Sequence, residues 1–479
     1  MLNTVIWGFA DITTRDAVFN LINNKDINLK KWFIVEKYED DFKDIDNVEY
    51  SFSRFLDNYS GITLLNMPLS IAKYIDNHTR ILTINFVRDM YFYGKQAYEL
   101  LNVIHMVSRY YYTILKENDV DFIMFEDVPH NGWMLTLYYV AKAMGIKTLL
   151  CGPTRIENHF MYAFSIEDYG IYKEVPEYNK NIDKISIEEK IENDWFDMRS
   201  DWLSETNHSN NKHRFRAFVS PKSWYLDRLN IIKDNKKKYG SIKKTVQKKL
   251  IESMGRNFER KAYSIEYKRH VIENVNLDVP YVYYPLHLQP EMNTDVLGGM
   301  YCNQLLLLEQ LSQIIPDDWI IYAKEHPLQN AYMRGDYFFK QLELLPKVKL
   351  VSSTTDTYDL NRNSQFVATL VGTTGWEAIS GGKNALVFGQ AWYGCLPGVF
   401  RYHSGIKLEE IMNYKIDHEE FELAVTNLMK KMGNGIIKID QVPSVSNFDV
   451  KKNNMYVYDF LSFIVRYVEK EDGLESAII

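Results

Sequence analysis

Three short stretches in the second half of the chain hold the groups best suited to bind an anion. They are Tyr322-Ala-Lys-Glu-His-Pro327, Val351-Ser-Ser-Thr-Thr-Asp356 and Val371-Gly-Thr-Thr-Gly-Trp-Glu-Ala378. Pro327 fixes its own backbone and biases His326 toward an extended conformation, so the imidazole projects from a strand end toward a phosphate or a ribose. Lys324 and Glu325 fall on opposite faces if the strand continues. Ser352, Ser353, Thr354 and Thr355 supply neutral donors. Thr373, Thr374 and Gly375 add hydroxyls and close backbone approach, and the helix they open offers N–H groups to a phosphate. Glu377 is expected in the first turn of that helix, reaching ribose hydroxyls or simply favouring the helix dipole. In series, these groups predict a nucleotide-sugar site.

A second set lies in the first half, in Phe125-Glu-Asp-Val-Pro-His-Asn131. Adjacent carboxylates at a strand end are unusual, because a buried ionised acid is costly unless paired. Glu126 or Asp127 is a candidate base or nucleophile, with His130 beside them. The plainer role is that Asp127 or Asn131 caps the following helix. Arg155, Glu157 and His159 follow the next strand, and Arg155 is a candidate fork for a donor carboxylate, or else a surface ion pair. In Tyr284-Pro-Leu-His-Leu-Gln-Pro-Glu291, the side chains of His287, Gln289 and Glu291 share one side if the segment stays extended, which would present them to a cleft. Otherwise it is a polar turn.

The elements that must position these groups read as two α/β patterns. Thr4–Phe9, Trp32–Glu36, Ile62–Leu65 and Ile81–Phe86 read as strands, and Lys95–Lys116 as a helix. Strand Asp121–Phe125, helix Trp133–Met144, Gly145 as terminator and strand Lys147–Cys151 form a βαβ unit, which predicts parallel pairing. Strands Val279–Tyr284, Trp319–Ala323, Val348–Val351, Gln365–Val371 and Asn384–Phe388, with a helix at Tyr301–Ile314, make the second pattern. Each functional stretch ends a strand, which gathers them at the carboxyl edge where open α/β sheets bind ligands. The chain thus divides into an acceptor and catalytic domain (1–177), a helical basic insert (178–275), a nucleotide-sugar domain (276–407) and C-terminal helices (408–479) that pack back on the first domain. Two doubly wound Rossmann-type domains facing a cleft are the GT-B architecture.

Composition agrees with a globular protein of two domains: 479 residues, 46% hydrophobic and 25% charged. Three separated cysteines provide neither a metal spacing nor a disulfide framework, which predicts a reducing cytoplasm. The amino terminus lacks the basic flank of a signal peptide, and no apolar run is long enough to span a bilayer. The net charge of −7 hides a basic stretch from Lys212 to His270, with 18 Lys/Arg against 5 Asp/Glu. It is either a solvated helical face or a surface for anionic lipid at the inner membrane face or for an anionic acceptor. No recognised nucleic-acid motif accompanies it.

The order of acidic pair, His-Pro and Ser/Thr cluster is similar to that of bacterial GT-B sialyltransferases and polysialyltransferases. More closely, Tyr284-Pro-Leu-His-Leu-Gln-Pro-Glu291, Lys324-Glu-His-Pro327 and Gly372-Thr-Thr-Gly-Trp-Glu-Ala378 resemble the capsule polysaccharide-synthesis family, which includes β-Kdo transferases. The match is best from Val279 to Gly398 and looser over Glu126–Gly170. The resemblance implies a CMP-activated acidic sugar donor and a glycan or glycolipid acceptor. It places His326, Ser352, Ser353 and Thr374 around the nucleotide and Glu126 or Asp127 at the reacting carbon. Val128 stands where the sialyltransferase pattern has Gly. No metal or cofactor is expected, since Asp44-Ile-Asp46 and Asp119-Val-Asp121 follow no ligand-edge strand. The competing readings are a CDP-glycerol-type phosphotransferase of wall-polymer synthesis, a nucleotide-sugar epimerase, and a non-catalytic capsule-assembly scaffold.

Overall fold

The computed structural model describes residues 1–50, 64–88, 96–180, 182, 184, 261–329, 334–445 and 447–475. Two seven-stranded sheets organise them. The first holds β1 (Leu2–Trp7), β2 (Ile27–Ile34), β3 (Val48–Tyr50), β4 (Phe122–Phe125), β5 (Lys147–Pro153) and β6 (His159–Ala163). The second holds β7 (Val271–Ile272), β8 (Tyr281–Pro285), β9 (Ile320–Lys324), β10 (Val348–Val351), β11 (Val367–Thr369), β12 (Ala385–Val387) and β13 (Val399–Arg401). The last strand, β14 (Gly433–Asn434), returns to the first sheet and pairs antiparallel with β6.

The order of the first sheet is β14-β6-β5-β4-β1-β2-β3, and that of the second is β13-β12-β11-β8-β9-β10-β7. Pairing is parallel throughout the second sheet. The first is parallel from β5 to β3. In each, the chain builds outward on one side and then returns to build on the other. The crossover points fall between β1 and β4 and between β8 and β11. Side chains at those carboxyl ends splay into a crevice, where doubly wound sheets bind ligands. The acidic pair follows β4, and the Gly-Thr-Thr-Gly stretch follows β11.

Helices cover the sheets: α1 (Arg15–Asn23), α2 (Leu69–Asn77), α3 (Thr79–Arg88), α4 (Ala97–Glu117) and α5 (Gly132–Ala143) in the first unit. In the second are α6 (Met292–Asp295), α7 (Gln304–Ile314), α8 (Asp336–Leu342), α9 (Thr357–Asn363) and α10 (Thr373–Ser380). Helix α5 is apolar on almost every side and buried along most of its length, as a helix between a sheet and its neighbours must be. Gly145 terminates it at φ +75°, a left-handed conformation that a side chain would strain.

The tail forms α11 (Leu408–Asn413), α12 (His418–Lys430) and α13 (Val450–Glu475). It does pack on the first unit: Phe460 sets its ring edge-on to Phe160 and Tyr162. Asn454 of α13 accepts from the amide of Ala17 at 3.0 Å. Among the described residues no helix is long and apolar enough to cross a membrane.

Two expectations change, and a third falls mostly outside the described residues. Ile81–Phe86 is not a strand but the middle of α3, with Leu82 and Phe86 buried one turn apart. Leu64–Leu65 is not strand either, and Ile62 and Thr63 lie outside the described residues. Of the basic stretch, 212–260 also lies outside them, whereas 261–270 is helical, stacking His270 on Phe339 of α8 and setting Tyr263 at a tilt against the same ring.

Candidate active site

At the first crossover the chain leaves β1 through Gly8-Phe-Ala-Asp-Ile-Thr-Thr14, beside the acidic pair that ends β4. Trp32, fully buried in β2, donates its indole N–H to the Gly8 carbonyl at 2.7 Å and fixes this loop. Gly8 has φ +82°, and a Cβ there would lie 2.5 Å from the Glu126 carboxylate. The carboxylate therefore occupies space that only glycine leaves open. Thr14 donates to Glu126 at 3.5 Å. Burial, then the negative charge of Asp11, push the Glu126 carboxyl up to about 8, against the opposing pull of Lys438 and the Phe9 amide.

Asp127 has a different environment, though it is the next residue. It is buried and ion-paired with Lys438. Its other oxygen accepts from the Val128 amide at 2.9 Å. His130 Nδ1 lies 3.4 Å from the Asp127 carboxylate and 2.9 Å from the Val128 carbonyl. Burial works to lower the Lys438 pKa, but the Asp127 and Glu126 carboxylates outweigh it and hold the ammonium charged. Asn131, not Asp127, caps α5, accepting from the Met134 amide at 2.8 Å. The pair thus comprises one carboxylate held by a cation and one left protonatable near neutrality.

Arg155 is exposed in the hairpin between β5 and β6. Asp11 and Lys438 were not read from the sequence. Asp11 does carry a signal, since its loop has the same Gly and Thr-Thr content at a strand end as the stretch after β11. Lys438 carries none, because it arrives from 311 residues further along the chain.

At the second crossover His287 follows β8 and is buried against the end of β11. Its Nε2 stands 3.4 Å from the Val371 amide and 3.5 Å from the Thr369 hydroxyl. Burial, then the neighbouring His326 and Arg334, push its pKa down to about 3, so the imidazole is neutral at working pH. A Cβ on Gly372 would come within 2.8 Å of this ring. Helix α10 starts at Thr373 just beyond, with Thr374 buried in its first turn. Gly375 lets the Tyr393 hydroxyl approach to donate to the Gly372 carbonyl at 2.5 Å. Because α10 opens at Thr373, Glu377 is its fifth residue and not in its first turn, contrary to expectation.

Gln289 and Glu291 do not continue an extended edge, because β8 ends at Pro285. Gln289 turns inward, donating to the Cys302 carbonyl at 2.7 Å and accepting from Gln304 at 2.9 Å. Glu291 precedes α6, where its carbonyl accepts from the Asp295 amide at 2.8 Å. Arg334, absent from the sequence reading, organises this loop from the interior. It pairs with Glu325 at 3.1 Å, both side chains at most 2% exposed, and donates to the His287 carbonyl at 3.1 Å and to Gln289. One buried guanidinium therefore joins the loops after β8 and β9.

His326 is part-buried beyond that knot, its Nδ1 3.2 Å from the Leu328 amide, and Pro327 is exposed. Lys324 reaches the Thr357 hydroxyl at the start of α9, 2.8 Å away. Ser352 and Thr354 share a hydrogen bond of 2.8 Å, and the Ser353 amide donates to Tyr267 at 3.0 Å. His287 thus lies against the turn before α10 and within electrostatic reach of His326.

The two crossover sites belong to a GT-B-type fold: one sheet presents a protonatable carboxylate, the other a helix end beside a buried imidazole. The particular family follows from the sequence. Residues 230–443 match the family described as capsule polysaccharide biosynthesis protein, which bears out the resemblance read from the motifs. That stretch includes the whole second sheet and Lys438, but not Glu126. No curated protein matches the chain.

Solved structures similar to this chain include the following three. The β-Kdo 2,7 transferase KpsC of Thermosulfurimonas dismutans is 16% identical over 43% of this chain and 60% of that chain, with a TM-score of 0.26. The chain thus spans about three-fifths of that protein's length. The UDP-GlcNAc 2-epimerase of Methanocaldococcus jannaschii is 11% identical over 89% and 99%, at 0.25. The lipopolysaccharide outer core galactosyltransferase WaaB is 10% identical over 98% and 100%, at 0.28.

Proposed function

We propose that this protein is a glycosyltransferase of capsule-type glycan synthesis. It moves an acidic ulosonic or nonulosonic sugar (of Kdo, sialic, pseudaminic or legionaminic type) from a CMP-activated donor to a surface-glycan acceptor, without a metal. The supporting observation is the contrast within the acidic pair. Asp127 is held by Lys438, while Glu126 has its pKa pushed up to about 8, the range in which a base is most effective at neutral pH. Glu126 is then the reacting carboxylate, whether it takes the proton of the acceptor hydroxyl or attacks the sugar. Either role requires it ionised, so activity falls as pH drops through about 8.

Departure of CMP leaves charge on a phosphate oxygen. The amides that open α10 and the imidazole of His326 are the groups suited to receive it, and preorganised donors of this kind supply several kcal/mol to such a step. His287 stays neutral and acts on the turn, not on the phosphate charge.

The test is calorimetric titration with CMP, CDP, UDP and GDP on the wild type and on His326→Ala. CMP binding in preference to the others, weakened about tenfold or more in the variant, is the expected result. Preference for CDP, preference for UDP, or no nucleotide binding would each refute the proposal.

A further inference from the structure

A cavity of about 490 Å³ lies between the two units, and none of the candidate site residues described above lines it. One wall is the α2–α3 junction with Tyr139 of α5 and Glu167. The other is the turn before α7 and the carboxyl ends of β12 and β13. It is therefore displaced by one to two strands from the β8–β11 crossover, on the side away from His326. Its size is that of a small-ligand site.

Its chemistry is specific. Aromatic surfaces stand on both walls: His78 stacks on Tyr139 at 4.0 Å, and Phe388 on Tyr402 at 4.5 Å with Tyr301 edge-on at 5.1 Å. Such faces suit the apolar side of a pyranose ring. Two guanidiniums are pinned at the rim. Arg80, from the first unit, donates to the Gly299 carbonyl at 3.3 Å and to Cys302 Sγ at 3.1 Å. Arg401, from the second, donates to Gln390 at 2.8 Å and, across the units, to the Gly170 carbonyl at 2.8 Å. Each spends two of five donors this way, which fixes the plane of the fork and leaves donors for a ligand. Against these two cations, Glu167 is the one carboxylate among the described lining residues, and it is exposed. The balance favours one negative charge, a carboxylate more than a phosphate dianion.

We infer that this interunit cavity is a subsite for a carboxylate-bearing sugar unit of the acceptor glycan, recognised by Arg80 and Arg401. Its place away from the CMP-binding groups makes it the acceptor's and not the donor's, a role that rests on the glycosyltransferase reading.

The test uses the full-length protein and two probes: a disaccharide ending in a hexuronic acid, and its neutral counterpart with a hydroxymethyl in place of the carboxyl. Binding is followed by ligand-observed NMR, with CMP affinity measured on the same samples. The acidic probe is expected to bind about tenfold more tightly than the neutral one. Arg80→Gln should remove that preference and leave CMP affinity unchanged. Glu167→Gln should tighten the acidic probe about threefold, a gain that a folding defect could not produce. Equal binding of both probes, no binding of either, or a loss of CMP affinity in Arg80→Gln would overturn the assignment. Acid-probe binding without any CMP binding would overturn the acceptor role and the glycosyltransferase reading together, while CMP binding alone would overturn only the subsite.

Discussion

Glu126 should make the folded protein less stable as pH rises, and the effect is large enough to isolate. Its carboxyl moves from the ordinary 4.5 to about 8, through burial first and then the Asp11 charge. Between those values the folded protein holds a proton that the unfolded chain has released. The unfolded state then binds fewer protons, so stability declines with pH across that window and the loss is complete above about 8. At 1.36 kcal/mol per pH unit, the rise corresponds to about 5 kcal/mol as an upper figure. Glu126→Gln keeps the shape and the hydrogen-bonding capacity but carries no charge to bury. Urea denaturation of wild type and variant should give similar midpoints near pH 5 and a variant more stable by about 2–5 kcal/mol near pH 9. The variant should also be inactive at every pH, whereas wild-type activity should climb through about 8. Parallel stability profiles would mean that Glu126 ionises as an exposed glutamate does, and the reasoning that separates it from Asp127 would fail.

Removing Lys438 should have the opposite character. Lys438→Met strands the buried Asp127 carboxylate and should cost about 3 kcal/mol, largely restored in the double variant with Asp127→Asn, as a double-mutant cycle would measure. Arg334→Met leaves Glu325 buried without its cation and frees the His287 loop, so a loss of about 3–5 kcal/mol in denaturation should accompany weakened CMP binding. Gly375→Ala puts a methyl 2.2 Å from the Tyr393 hydroxyl. CMP affinity measured by calorimetry should drop about tenfold, and Tyr393→Phe in the same chain should recover part of it.

The second sheet was the more legible half. Val348–Val351 was read to the residue, and the strands on either side of it were placed within one or two residues. Fully buried parallel strands are near-continuous apolar runs, and each here is punctuated by Gly, Pro or a hydroxyl cluster. The error at Ile81–Phe86 has a physical cause. Ile-Leu-Thr-Ile-Asn-Phe is short, apolar and rich in β-branching, so periodicity alone cannot separate strand from helix. Contact with α5 decides it, since Phe86 sets its ring edge-on to Trp133 at 5.5 Å. Strands β3 and β14 escaped because each is only two or three residues long and exists by virtue of its neighbour.

What the sequence could not display is the balance of charge at the site, because that balance is assembled from three distant segments. Asp127 precedes Lys438 by 311 residues, and nothing local distinguishes Lys438 from the other lysines of the tail. The distinction is made by α13. Asn453 donates to the Thr13 carbonyl at 2.7 Å and to Ile436 at 2.9 Å, and its oxygen accepts from the Ile436 amide at 2.7 Å. Asn454 donates to the Ile12 carbonyl at 2.9 Å. Two adjacent asparagines thereby tie the loop bearing Asp11 to the loop bearing Lys438, an anion and a cation that act on Glu126 with opposite sign. Within one helical turn the tail fixes where both charges stand. The adjacent carboxylates after β4 differ because the cation this helix positions pairs directly with only one of them.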